Sequence, residues 1–314
     1  EEERFNRIRT YKDFYEMFFR YPYESGQNVW FDKDFDWEDL DYITSHYPIE
    51  IAEEIWDGIG LGPFPKEKYI KTNHHRAHCS LAYYCSGFEE DTLVVSMDAM
   101  GEKYSARYFI GSEGDLKDIG KISTDFKSLG HYYAMLTEFL GFKRLKDEGK
   151  VVGTASHGQF QKEFYNAFNE CITIDGIKTD KDLGEVVSGG IYEDFYNIWF
   201  KKFGSKFTSP FKNDIAYNGQ LVFEEKVLEI FNNLHKKYPY IKKLALAGGI
   251  FANVKLNKRI NELEWVDEVF IAPPMGDEGI PLGAALSVHK LKNPDFKPFR
   301  LDNIYLGTSY DKSF

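Results

Sequence analysis

The chain has no basic tract. Its 39 lysines and arginines are outnumbered by 50 aspartates and glutamates, for a net charge of −11. That argues against a double-stranded nucleic-acid partner, because a phosphate backbone rewards clustered lysine and arginine. Cysteine is scarce: Cys79, Cys85 and Cys171 are odd in number and show no CxxC spacing. This argues against a disulfide framework and fits a reducing compartment, so a cytoplasmic location is expected. No apolar run approaches the length of a membrane helix, and no internal repeat or low-complexity segment stands out. The sequence opens neither on a methionine nor on a signal-peptide pattern. The opening EEERFNRIRT reads as mid-protein, and the closing NIYLGTSYDKSF stops just after a strand-like segment. Both ends are expected to belong to a longer protein.

What is present is a bulky apolar inventory. Hydrophobic residues are 43% and aromatics 17% of 314 residues, enough for one large domain or two medium ones. The chain is organised around NHHRAHCSLAYYCS, residues 73–86. Asn73 is a good N-cap and Gly87 a good stop, so the stretch reads as a helix. His74 and His78 share one face and continue an apolar stripe through Leu81, Ala82 and Cys85. Two inward imidazoles one turn apart suit a divalent metal. They equally suit a pair of hydrogen-bonded core histidines, and the stretch alone leaves both readings open.

Further along, DTLVVSMD (91–98) reads as a buried strand ending in Asp98, followed by a glycine-containing turn and a second strand. A carboxylate delivered into such a turn builds phosphate and metal sites, but strand-ending aspartates are also ordinary turn formers. Ser128 caps an expected helix, HYYAMLTEFLGF. EGKVVGTASHG (148–158) reads as a small-residue stretch in which Lys150 is either a phosphate ligand or a loop lysine. Residues 214–238 carry a helical apolar face: Ile215, Val222, Phe223, Val227, Leu228, Ile230 and Phe231. LALA then leads into Gly248, Gly249 and Asn253. Glycines after a strand permit close backbone approach to an adenosine or a phosphate. VFIAP is another strand, GDEG a turn, and Pro281 opens a helix of small residues. Asp277 stands at that strand–helix mouth, where it could complete a His-His-Asp site. KNPDFKPFR reads as a linker. Strands alternating with helices mean α/β, and the strand ends at Asp98, Gly248 and Asp277 are expected at one sheet edge.

Seven segments, taken in order, carry a resemblance: EERFNRI (2–8), NHHRAHCSLAYYCSGF (73–88), SMDAMGE (96–102), SLGHYY (128–133), EGKVVGTASHG (148–158), LALAGGIFANVKLN (244–257) and APPMGDEGIPLGAAL (272–286). The chain resembles the O-carbamoyltransferases of the nodulation protein U and cephalosporin carbamoyltransferase type. The resemblance implies an actin/sugar-kinase/Hsp70-like (ASKHA) α/β fold with two RNase H-like subdomains, most similar to the tRNA threonylcarbamoyl-transfer subfamily. It places residues 1–90, including the histidine helix, in the first subdomain. It places 91–291 in the second, with 292–314 as linker and start of a carbamoyl-adenylate-forming domain. It implies a divalent metal, iron above zinc or manganese, on His74, His78 and Asp277, with Asp98 as a fourth ligand. Carbamoyl-adenylate contacts fall on Asp98, Gly101, Glu102, Gly130, Gly249 and Asn253. ATP and carbamoyl phosphate are the implied co-substrates, and a small-molecule hydroxyl is the acceptor. No catalytic base is assigned; it is expected in a missing N-terminal loop.

Two departures stand within the matching segments. Ala99 replaces the usual glycine of DGxGE, and GTASHG replaces GLAxYG. The alternative closest in chemistry is a tRNA threonylcarbamoyl-transferase-like enzyme; from other classes come an ATP-dependent kinase of the same fold and a non-catalytic nucleotide-binding module.

Overall fold

The computed structural model describes residues 40–58, 63–123, 127–178 and 211–304. The segment 2–8 lies outside the described residues, as do the helix that the aromatic spacing predicts within 1–20, the sheet edge and helix that VVSGG and EDFYNIWFKKF suggest, and most of the irregular surface that the Trp-, Asp- and Tyr-rich stretch 21–48 predicts.

The main body is a five-stranded sheet. Its strands are β3 (Thr92–Gly101), β4 (Tyr104–Ser112), β5 (Asp115–Ser123), β8 (Lys243–Ala247) and β9 (Glu268–Ile271), in the order β5-β4-β3-β8-β9. The β3-β4-β5 meander is antiparallel, whereas β8 and β9 run parallel to β3. This is the arrangement expected of one RNase H-like subdomain, a mixed α/β unit. A second, small sheet pairs β1 (Ile43–Ser45) in parallel with β2 (Tyr69–Lys71), beside helix α1 (Ile49–Gly58). A short hairpin joins β6 (Ile172–Thr173) to β7 (Gly176–Ile177).

The strand period sorts β3 between two cores. Leu93, Val95 and Met97 enter the larger one, with helices α3 (Leu129–Phe139), α5 (Lys162–Cys171) and α6 (Lys212–Lys237). Val94 faces the other, with α2 (His74–Tyr84). Ser96 and Asp98 fall on this second face. The seven apolar residues expected along α6 are all buried. Residues 148–155 form a helix, α4, where a small-residue stretch was read. Lys150 lies on that helix with its side chain 60% exposed, 2.9 Å from Asp147.

Helix α8 (Ile280–Lys292) packs on α2 because its residues are small. A Cβ at Gly283 would meet the Ala77 carbonyl oxygen at 2.0 Å, and one at Gly279 would meet the Leu81 side chain at 2.6 Å. Backbone-close packing brings the 3₁₀ turn Asp277–Gly279 up to the first turn of α2. The stretch read as a linker folds back: Phe299 N–H donates to the Tyr84 carbonyl and Leu301 N–H to that of Cys85.

Candidate metal centre and nucleotide cavity

Helix α2 begins as the sequence indicates. Asn73 Oδ1 accepts the Arg76 N–H at 3.1 Å, capping the first turn. Asn73 also donates to Glu102 Oε2 at 2.5 Å and accepts from Arg107 at 3.0 Å. The turn after β3 is thereby tied to the start of the helix. Gly101 completes the fit, since a Cβ there would meet His74 Cδ2 at 2.2 Å.

The three histidines of the motif have different fates. His75 is fully buried and satisfied at both nitrogens, by the Tyr104 carbonyl at 2.9 Å and Ser96 Oγ at 2.8 Å. The carbonyl can only accept, so Nε2 carries the proton and Nδ1 accepts from the hydroxyl. Burial lowers the His75 pKa, consistent with a neutral ring. His75 is the hydrogen-bonded core histidine. Among the described residues, His74 Nε2 and both nitrogens of His78 are buried without a hydrogen-bond partner. Such orphaned polar atoms are rare in folded proteins and call for a ligand.

What faces them is carboxylate. His78 Nε2 lies 3.3 Å from Asp277 Oδ1 and 3.5 Å from Asp98 Oδ2, without a directed hydrogen bond to either. His74 Nε2 lies 3.7 Å from Asp277 Oδ1. One ligand atom from each of His74, His78, Asp98 and Asp277 falls within 4.8 Å of all the others. Metal bonds of about 2.0–2.2 Å hold neighbouring ligand atoms about 3–3.5 Å apart, so the set fits one divalent ion after a small contraction. Two imidazoles and two carboxylates suit iron, zinc or manganese. Burial resists charge on His78, but Asp277 and Asp98 outweigh it and raise its pKa to about 8. Burial and the neighbouring His78 push His74 down to about 4. Burial also resists the charge on Asp98, but His78 and two backbone N–H groups lower its pKa to about 2.

Asp98 also borders a cavity of about 270 Å³. Its lining includes Ala99, Gly130, Gly249 and Asn253, with Tyr133, Phe223 and Ile250 as the apolar wall. Asp98 Oδ1 accepts the Ala99 N–H at 2.6 Å and Oδ2 accepts the Gly249 N–H at 3.1 Å. Gly248, at φ 102°, lets the chain turn there, since a Cβ would strike the Met97 carbonyl oxygen at 2.1 Å. Gly130 is equally constrained, with a Cβ placed 2.6 Å from Ala99 Cα. Four of the six residues expected at carbamoyl adenylate (Asp98, Gly130, Gly249 and Asn253) meet at this cavity. Gly101 and Glu102 stand instead on the histidine side.

Residues 23–286 match the carbamoyltransferase N-terminus family. The chain belongs to that family. Among its relatives is an uncharacterised protein of Methanocaldococcus jannaschii, 32% identical over 231 residues, which are 68% of this chain and 36% of that protein. Nodulation protein NolO of Bradyrhizobium diazoefficiens is 29% identical over 238 residues, 75% of this chain and 41% of NolO. Nodulation protein NolNO of Sinorhizobium fredii is 28% identical over 238 residues, 75% of this chain and 33% of NolNO. The chain thus spans less than half the length of these relatives. Two solved structures are loosely similar. Full-length HypF in its phosphate- and nucleotide-bound form gives a TM-score of 0.39 at 14% identity, over 79% of this chain and 50% of HypF. The activator of 2-hydroxyisocaproyl-CoA dehydratase from Clostridium difficile, with bound ADPNP, gives 0.40 at 12%, over 80% and 85%.

Within this carbamoyltransferase N-terminal domain, the sequence reading missed the polar layer behind the cavity. Asn253 caps helix α7 (Val254–Asn261) through the Leu256 N–H and exchanges hydrogen bonds with buried Gln220. Gln220 also donates to Glu224 and accepts from Tyr133, and Glu224 pairs with Arg259 at 2.7 Å. The available signal was Gln220 and Glu224, one turn apart on a stripe otherwise apolar.

Proposed function

We propose that this domain transfers a carbamoyl group from carbamoyl adenylate to a hydroxyl of a small-molecule acceptor. The adenylate would be made from carbamoyl phosphate and ATP elsewhere in a longer protein. The observation that carries this reading is the double membership of Asp98, which belongs both to the histidine–carboxylate cluster and to the cavity wall.

Among the described residues, the cavity lining contains no lysine or arginine. A phosphate entering it needs its charge balanced by something else, and the cluster at Asp98 is where a cation would sit. A divalent metal bound there would supply Lewis acidity toward a carbamoyl or phosphate oxygen. The protein's own part is positioning. Asp98 is held by the Ala99 and Gly249 N–H groups. His75 pins α2 to β3 and β4, so that His74 and His78 face the carboxylates. Asp277, with its side chain 70% exposed, leaves the cluster open on one side to an acceptor. The acceptor oxygen attacks the carbamoyl carbon, the bond to the AMP phosphate oxygen breaks, and the hydroxyl proton is released.

The test measures metal content by mass spectrometry for the wild type and a His74→Ala/His78→Ala variant. Alongside it, the longer protein is given labelled carbamoyl phosphate, ATP and either hydroxyl compounds or tRNA. Near-stoichiometric metal that vanishes in the variant, with label transferred to a small hydroxyl compound and AMP released, is expected. Label on tRNA, or ATP-dependent phosphorylation without carbamoyl phosphate, would replace the reading.

A further inference from the structure

Leu145 is out of place by every local criterion. It is 72% exposed, although it lines the cavity together with Ala99, Glu148, Gly149 and Val152. Its φ is +58°, in the left-handed region that leucine disfavours and that glycine or asparagine adopts readily. The surrounding turn is firmly tied. Glu148 Oε1 accepts the Leu145 N–H at 2.5 Å, and Asp147 Oδ2 accepts the Lys143 N–H at 3.1 Å. The Lys143 carbonyl accepts the Asp147 N–H at 2.9 Å.

An apolar side chain is therefore held at the mouth of an apolar cavity, exposed, on a backbone that disfavours it. Core packing does not explain it, because most of the side chain faces solvent. Local propensity does not explain it either. Outliers of this kind cluster where a ligand is gripped. The neighbouring wall is bare: a Cβ at Gly149 would meet nothing within 4 Å. A ring resting against Tyr133, Val152 and Phe223 would have open space on the Gly149 side and Leu145 at its outer edge. Glu148, the carboxylate beside Leu145, disfavours an anion at this end, which suits a neutral ring.

We propose that Leu145 is a binding contact that covers the base of the bound nucleotide, with Glu148 as the residue that positions it. This rests on the nucleotide reading of the cavity. Leu145 lies on the surface, so its replacement leaves the core intact.

The test is calorimetric titration of the full chain with adenosine, and with ATP plus Mn²⁺. The proteins are the wild type, Leu145→Ala, Leu145→Asn, Glu148→Gln and Glu148→Ala. Loss of the leucine contact is expected to weaken binding of both ligands by about fivefold to twentyfold. Leu145→Asn should raise the melting temperature while binding as weakly as Leu145→Ala, because asparagine tolerates the left-handed backbone. Glu148→Gln keeps an acceptor for the Leu145 N–H and should bind like the wild type, whereas Glu148→Ala should bind like Leu145→Ala. A wild type that binds neither ligand overturns the nucleotide reading. A wild type that binds both, with Leu145→Ala and Leu145→Asn binding equally well, overturns the role of Leu145 alone.

Discussion

Asp98 and His78 face each other across the gap between β3 and α2, with Oδ2 3.5 Å from Nε2. The same oxygen accepts the Gly249 N–H from the loop after β8. One carboxylate therefore serves two elements. Asp98→Asn tests whether the two roles separate. Its one amide oxygen can still accept from Gly249, but the NH2 that replaces Oδ1 leaves the Ala99 N–H without its acceptor, so the loop should hold at a cost of about 1 kcal/mol in stability. Metal affinity should fall by about a hundredfold or more, since losing even an outer-shell partner costs about 10–100-fold. Titration with Mn²⁺ or Co²⁺ reads the affinity. Unchanged affinity would remove Asp98 from the ligand set.

Metal uptake should depend on pH with a definite sign. In the metal-free protein Asp277 and Asp98 raise the His78 pKa to about 8, so at neutral pH a metal must displace that proton. His74, pushed down to about 4, is already neutral and costs nothing in this range. Affinity should rise about tenfold per pH unit below pH 8 and level off above it, with about one proton released per metal at pH 7. Calorimetry in buffers of different ionisation enthalpy counts the proton. A flat profile from pH 6 to 8 would contradict the assignment of His78.

The sequence made legible what local chemistry determines. Asn73 and Ser128 are caps, as read, and α6 buries the residues its periodicity selects. The small residues of α8 do permit close approach to α2. Less legible was anything set by long-range register. His75 and His74 are adjacent and identical in type, yet one is satisfied by Ser96 and Tyr104 and the other is orphaned. Only the pairing of β3 with β4 beneath the helix distinguishes them. Gly101 and Glu102 likewise share a motif with Asp98 but sit on the histidine side, because the strand irregularity between Met97 and Gly101 redirects them.

Asn253 gives a case where binding and stability are entangled. Its side chain caps α7 and joins buried Gln220. Asn253→Ala removes the cap, worth about 1 kcal/mol, and leaves Gln220 short of a partner, at about 1–3 kcal/mol. A loss of about 2–4 kcal/mol in denaturant unfolding is expected. Weaker ATP binding in this variant is therefore not evidence of direct contact unless it persists at temperatures where both proteins are folded. Asn253→Ser keeps a cap acceptor without burying a charge against Gln220, so it should recover part of the stability.

The spacing of α8 from α2 should control the metal site from a distance. Gly283 faces the Ala77 backbone, and a Cβ would stand 2.0 Å from its carbonyl oxygen. Gly283→Ala must push the helices apart, and Asp277 precedes that helix by only its 3₁₀ turn. The variant should lose about 1–3 kcal/mol, as overpacked cores do. Its metal affinity should also fall, although residue 283 touches no ligand atom. Gly153→Ala is the control. A Cβ there meets nothing within 4 Å, and the residue lies within α4. Helix propensity alone should make that variant more stable by about 0.5–1 kcal/mol, with metal affinity unchanged. If Gly283→Ala kept full metal affinity, Asp277 would not depend on the α2–α8 contact, and the approach of the small-residue helix would be packing alone.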